Sequence, residues 1–178
     1  MARKPDTPLR RGWTTGACAT AATRAALLGF WGAGRPDEVQ ITLPRGETPV
    51  FKVSHWDQGE GWCEAGIIKD AGDDPDVTHG ALVIARVSPS GSGVRFKAGQ
   101  GVGQVTMPGL PIPPGEPAIN PVPRDMMKGV VHEMAQAMNL PPDITIEISI
   151  PNGAELARQT WNPRLGVKGG LSILGTTG

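Results

Sequence analysis

The chain has 178 residues, 39% of them apolar, with 17 basic and 17 acidic side chains and a formal net charge of zero. That balance, with no basic tract, excludes bulk attraction to nucleic acid or an anionic membrane, and no run reaches the roughly 20 apolar residues of a membrane-spanning helix. The length suits one domain with a sizeable core, and 25 glycines and 18 prolines make much of it turn and ordered loop.

The opening MARKPDTPLRRGW is basic, but Arg24 interrupts the only apolar stretch that follows, so no secretory signal core is expected. TTGACATAATRAALLGFWG predicts the first helix: Thr14 or Thr15 caps its start, the alanines favour it, and Gly29 or Gly32 ends it. Cys18 and Cys63 belong to no CxxC or Cys/His pattern and are expected to be reduced, buried thiols of a cytoplasmic protein. Strands are expected at 39–44, 50–56 and 62–69, the first two with the alternation of a half-buried sheet.

ALVIARVS (81–88) is apolar enough for a central strand, and GVRFKAG follows it. Residues 99–123 are too rich in Gly and Pro for regular structure and read as a long ordered loop. PRDMMKGVVHEMAQAMNL predicts an amphipathic helix starting near Pro123, with Met127, Val130, Val131, Met134 and Met138 on its core face. His132 falls outside that stripe, as a surface or packing residue. DITIEISIP is an alternating strand, GAELARQTW a short helix, and GGLSILGTTG a Gly-led strand running into a turn. The order of elements predicts an α+β class: a mixed or antiparallel sheet with a few packed helices.

Three stretches are candidates for chemistry. KDAGDDPDVTHG (69–80) gathers Asp70, Asp73, Asp74 and Asp76 between Lys69 and His79. Its order does not match a calcium EF-hand loop, and three histidines in all are few for a catalytic zinc site. Two readings remain open: a solvated turn whose aspartates cap their own backbone, or a site. Crowded carboxylates raise one another's pKa, so one of them could take a proton near neutral pH. They could equally hold ribose hydroxyls or favour a nearby cation. In AGQGVGQVTMPG, Gly99, Gly101 and Gly103 could bring backbone amides close to a ligand. The loop matches neither the Walker pattern nor the dinucleotide fingerprint. In GWTTGACAT, hydroxyls and amides at a helix start suit an anion, although plain capping explains them equally well. Cys18 reads as buried filler, not a nucleophile. Arg10, Arg11, Arg124, Arg158, Arg164 and Lys168 are carboxylate clamps in principle and solvated charges by default. Residues alone therefore predict a ligand-binding α+β domain without naming a substrate.

Four stretches together carry a resemblance: LRRGWTTGACATAATRAAL, KDAGDDPDVTHG, GVGQVTMPGLPIPPGEPAINPVPR and NPRLGVKGGLSILGTTG, which run from Leu9 to Gly178. The chain resembles the CbiD-type cobalt-precorrin-5B C-1-methyltransferases of corrin-ring biosynthesis. Members of that family continue past GGLSILGTTG, so the chain is expected to be the N-terminal part of a longer two-domain protein. The resemblance implies a first domain of α+β fold like the second domain of ribosomal protein S5. It implies S-adenosyl-L-methionine as methyl donor and a tetrapyrrole as acceptor, and no residue is assigned to a metal. On that basis Asp70, Asp73, Asp74, Asp76 and His79 stand at the reacting edge. Thr14, Thr15, Gly16, Lys69, Asn120, Arg124 and Lys168 are assigned to the acid side chains of the substrate, and Gly99, Gly101, Gly103, Gly175, Thr176 and Thr177 to the donor. Possible partners are a second copy or other corrin-pathway enzymes. The alternatives are a tetrapyrrole-binding domain without catalysis of its own, and a nucleotide-using phosphotransferase built on the glycine loop.

Overall fold

The computed structural model describes residues 10–73, 76–160 and 166–173. Thr14 starts helix α1 (Thr15–Phe30): its backbone is extended and its hydroxyl accepts the Ala17 amide at 3.0 Å. Small side chains let neighbours approach α1 from every side, and 12 of its 16 residues are buried. Thr20 and Thr23 are buried at no loss because their hydroxyls donate to the Gly16 and Ala19 carbonyls one turn back. Gly29, one of the two expected helix ends, lies inside the helix, where a Cβ would stand 2.0 Å from the Trp56 ring. Gly32, just past the Trp31 cap, takes the positive φ that follows many helix ends.

Strand β1 (Glu38–Gln40) pairs with β2 (Val50–Lys52) in a separate ribbon. The strand expected over 50–56 therefore splits: after Val53 and Ser54 the chain enters β3 (His55–Gly59), which belongs to the main sheet. That sheet continues with β4 (Trp62–Ile68), β5 (Leu82–Pro89) and β6 (Arg95–Ala98). Next come β7 (Gln104–Val105), helix α2 (Pro121–Met138), β8 (Ile144–Ser149), the short α3 (Gly153–Ala157) and β9 (Val167–Lys168). The main sheet has the order β3-β4-β5-β8-β6, antiparallel except for the β8–β6 pair. The stretch expected to be central is its middle strand, β5.

Register sorts the side chains into two faces. Ala65 lies opposite Ala85 and Ala85 opposite Ile148, while Cys63, Val87 and Ile146 form the next row. These residues are buried on the face where α1 packs, with Met127, Val130, Val131 and Met134 of α2 joining the same core. Each large apolar side chain enclosed there contributes about 1.5–3 kcal/mol. Met138, expected on that face, is exposed, because the helix ends at the sheet's margin and Asn139 turns the chain in a left-handed conformation. On the opposite face Glu64, Arg86, Glu147 and Lys97 follow one another across four strands.

The loop over 99–123 is not wholly irregular: β7 within it pairs with β9. In the described part of the final apolar stretch, isolated bridges join Val102 to Leu171 and Ile119 to Ile173, and residues 174–178 lie outside the described residues. Helix α2 starts at Pro121, two residues before Pro123, and uses both prolines where no amide partner is available. Among the described residues, no helix is long and apolar enough to cross a membrane.

Candidate functional site

Register places the candidate loops at one end of the main sheet. Leu82 enters β5 opposite Ile68, Ser149 leaves β8 opposite Ile84, and β6 runs parallel to β8. The β4–β5 connection carrying the aspartates and the glycine loop after β6 therefore emerge on the same side. The strip 166–173 ties the glycine loop to the start of α2, through Leu171 N–H to the Gly101 carbonyl and Asn120 N–H to the Ile173 carbonyl.

The aspartates are occupied within the protein. Arg10 donates from its guanidinium to Asp70 at 2.5 Å and from its backbone amide to Asp73, while the Asp73 amide donates back to the Arg10 carbonyl. Asp70 also accepts the Gly72 amide, and Asp76 accepts both the amide and the hydroxyl of Thr78. Segment 10–13 is thus laced to the loop. Gly12 and Gly72 allow it, since a Cβ at Gly12 would stand 1.9 Å from the Ala71 backbone. His79 Nδ1 accepts the Ala71 amide at 3.0 Å, which puts the proton of the neutral ring on Nε2, and the side chain is half exposed. Asp74 lies outside the described residues.

These partners reverse the expected electrostatics. The hydrogen bond from Arg10, followed by the Gly72 amide, holds the Asp70 carboxyl down at about 2. Burial pushes Asp76 upward, but hydrogen bonds from Thr78 and Lys69 outweigh it and hold it below its usual value. Neither carboxyl keeps a proton near neutral pH, contrary to the mutual raising expected from crowding. Both folded-state pKa values are depressed, so their contribution to stability is complete above the unfolded carboxylate value of about 4 and is lost as pH falls. For Asp70 the window runs from about 4 down to about 2. Urea midpoints measured across that window should fall for the parent chain and flatten for Asp70→Asn; parallel curves for the two would remove Asp70 from the clamp.

Lys69 and the helix start are enclosed. The Lys69 side chain is 6% exposed, and Nζ donates to Thr15 Oγ1 at 3.0 Å, Asp76 at 3.0 Å and Thr78 Oγ1 at 2.6 Å. With Thr14 capping, Thr15 bound to Lys69 and the Gly16 carbonyl bound to Thr20, this group of assigned substrate contacts is engaged internally. Cys18 is buried beside it with its thiol pushed up to about 12 by desolvation, and the same cause pushes Cys63 to about 11. Neither supplies a thiolate nucleophile.

The glycine loop is packed as well. The Gly99 and Gly103 amides donate to the Ile148 and Leu171 carbonyls, and a Cβ on Gly101 would stand 1.8 Å from the Ile150 carbonyl oxygen. These glycines let backbones touch, and they leave a nucleoside-bearing donor no open cradle. Gly175, Thr176 and Thr177 lie outside the described residues. Lys168 is exposed on β9, and Asn120 caps α2 with its backbone but without a side-chain hydrogen bond.

Arg124 occupies a different setting. Its Nε and Nη2 donate to the Ile119 and Pro117 carbonyls, at 2.7 and 2.9 Å, and its Nη1 lies 3.4 Å from Glu116. Its guanidinium stands over the Phe96 ring at 5.3 Å, with Lys128 Nζ at 6.0 Å from the same ring. A cleft of about 340 Å³ opens here, with Arg95 and Lys97 on its β6 wall. Sequence reasoning picked out Arg124 alone, because the other three cations are scattered over 95–128 and only the fold collects them. It also missed a network on the open sheet face, where Glu64 accepts Arg86 through two nitrogens, His55 Nε2 lies 2.7 Å away, and Arg86 stacks on Trp62 at 3.8 Å. The alternation of β4 gave the only hint, a lone acid in an apolar strand.

A family model described as CbiD matches residues 2–178. Cobalt-precorrin-5B C(1)-methyltransferases of Brucella anthropi and Paramagnetospirillum magneticum are 60% and 59% identical over 172 residues, covering 96% of this chain and 47% and 48% of theirs. The crystal structure of a cobalamin biosynthesis protein (cbiD) from Archaeoglobus fulgidus matches with a TM-score of 0.70 at 31% identity, over 97% of this chain and 55% of that one. The chain spans about half the length of the relatives it matches.

Proposed function

The chain belongs to the CbiD family, and from that premise we propose that it is the acceptor-holding part of a two-domain enzyme that transfers a methyl group from S-adenosyl-L-methionine to ring carbon C-1 of cobalt-precorrin-5B. The observation that carries this reading is the 60% identity to a cobalt-precorrin-5B C(1)-methyltransferase across 96% of the chain. The chemistry agrees with the residues. Alkylation of an electron-rich ring carbon by a sulfonium needs no covalent nucleophile from the protein, and both cysteines are buried thiols. What it needs is a positioned acceptor, exclusion of water and an outlet for one proton. His79, half exposed with its Nδ1 already bonded, and Asp73 at the loop surface are the described residues suited to that outlet.

The packed glycine loop does not fit the donor, so no step is assigned through it, and it gives no support to a nucleotide-using phosphotransferase. The same packing favours a second reading in which this chain binds the tetrapyrrole without catalysis of its own. Two assays separate the readings. With labelled S-adenosyl-L-methionine and cobalt-precorrin-5B, the longer family protein should methylate C-1. Residues 1–178 alone should show no saturable binding of the donor at micromolar concentration by calorimetry. Micromolar donor affinity in the short chain would overturn the acceptor-holding assignment, and failure of the long protein to methylate would overturn the reaction.

A further inference from the structure

The cleft at the edge strand β6 is lined by four cations: Arg124 and Lys128 stand over Phe96, while Arg95 and Lys97 leave β6 on its other face, and Glu116 is the carboxylate in the lining. On a chain of zero net charge, four cations in one cleft concentrate a positive field that folding alone does not favour. Helix stability does not explain them. The first turn of α2 holds no acidic residue, and Arg124 with Lys128 puts positive charge toward the positive end of the helix dipole. Charge pairing explains them only in part, since Lys97 alone stands opposite an acid, Glu147, in the register of β6 and β8. Among the described residues no salt bridge involves Arg95, Lys97 or Lys128, and the Glu116 oxygen paired with Arg124 lies 3.4 Å away on a side chain that is 48% exposed. Arg124 is fixed by the Ile119 and Pro117 carbonyls, and both α2 cations lie over an aromatic ring, contacts that position a cation without neutralising it. With Pro121 and Pro123 in the first turn, backbone amides are scarce there, so side chains would do the binding.

We propose that this cleft is a subsite for carboxylate groups, seating acid side chains on the rim of the tetrapyrrole. The inference rests on the acceptor-holding role above and adds the substrate feature recognised and three residues that read it: Arg95, Lys97 and Lys128. Arg124, held by two backbone carbonyls, supplies a fixed positive charge at the base of the cleft, and the two lysines and Arg95 supply mobile charges that meet the carboxylates. Polar attraction of this kind weakens with salt.

The test uses uroporphyrin I, which carries carboxylates on every pyrrole, with coproporphyrin I, which carries fewer, and with inorganic phosphate and ATP as phosphate controls. Binding is followed by porphyrin fluorescence. The parent chain should bind uroporphyrin more tightly than coproporphyrin, and more weakly as salt rises. Lys97→Gln with Lys128→Gln should raise the Kd about tenfold, while Arg35→Gln with Arg45→Gln, on exposed loops elsewhere, should leave it unchanged. Both lysines are exposed, so the thermal midpoint should hold. Unchanged uroporphyrin affinity in the lysine variant overturns the proposal, and so does equal displacement by phosphate or ATP, which would make the cleft a general anion patch. In the longer protein the same variant should raise KM for the tetrapyrrole with kcat retained. An unchanged KM removes the subsite but leaves the methyltransferase reading standing, whereas absence of methylation by the unaltered protein removes that reading independently.

Discussion

Gly101→Ala is expected to lower unfolding stability by more than about 4 kcal/mol, a large share of the roughly 5–15 kcal/mol of an ordinary domain. Two effects add. Gly101 has φ of +77°, where an L side chain meets its own carbonyl at a cost of about 1–2 kcal/mol. Its absent Cβ also points at the Ile150 carbonyl oxygen, 1.8 Å from where the atom would lie, with the Gly153 amide 2.9 Å away. Those neighbours are backbone and cannot swing aside as a side chain would. Ile150 follows the interior strand β8, and Gly101 itself accepts the Leu171 amide, so relief would shift the end of that strand, α3 and the strip 166–173 together. Gly93→Ala provides the comparison: φ is +66° but nothing lies within 4 Å of the new atom, so only the conformational cost of about 1–2 kcal/mol should appear. Urea unfolding of the two variants checks the difference. Equal losses would show that close packing is not why this loop is glycine-rich, and the case for an open ligand cradle would return.

Local patterns carried the framework of the fold but not its pairings. The Thr14 cap, the Ala-rich helix, the alternation of DITIEISIP and the apolar run that became β5 depend on neighbours within a few residues, and each was legible. The break in 50–56 was not. Both halves alternate correctly, and only long-range partners decide that Phe51 pairs with Val39 while Trp56 pairs with Ala65. The site divided along the same line. A cluster of aspartates is visible in sequence, but the identity of its partners is not. Arg10, sixty residues before Asp70, and the Gly72 and Thr78 amides turn crowded acids into a clasp with lowered pKa values. The cationic cleft shows the converse, since nothing local in the sequence singles out Lys97 or Lys128, and only the placement of β6 and α2 brings them to one cleft.

Lys69→Met should lower stability by about 2–3 kcal/mol. The parent ammonium is enclosed and meets three oxygens, from Thr15, Asp76 and Thr78, in a nearly dry pocket under the start of α1. Methionine fills similar volume yet donates nothing. The two hydroxyls have other options, since Thr78 also donates to Asp76, but the Asp76 carboxylate loses its cation. Because Asp76 is 39% exposed, water takes over part of its solvation, which keeps the loss below the 3–5 kcal/mol typical of a fully enclosed broken pair. Combining the change with Asp76→Asn isolates the pair: the double variant should be less destabilised than the sum of the singles, by about 1 kcal/mol or more. Amide exchange at Thr78 and Gly80 should accelerate in Lys69→Met, because their loop closes over that side chain. If instead the midpoint is unchanged while the KM of the longer protein for its tetrapyrrole rises, Lys69 spends its charge on the substrate and not on the loop. The acidic turn would then have to open during binding, breaking three hydrogen bonds to release one cation. The cleft over Phe96 asks no such rearrangement, which is why the binding energy is placed there and the folding energy here.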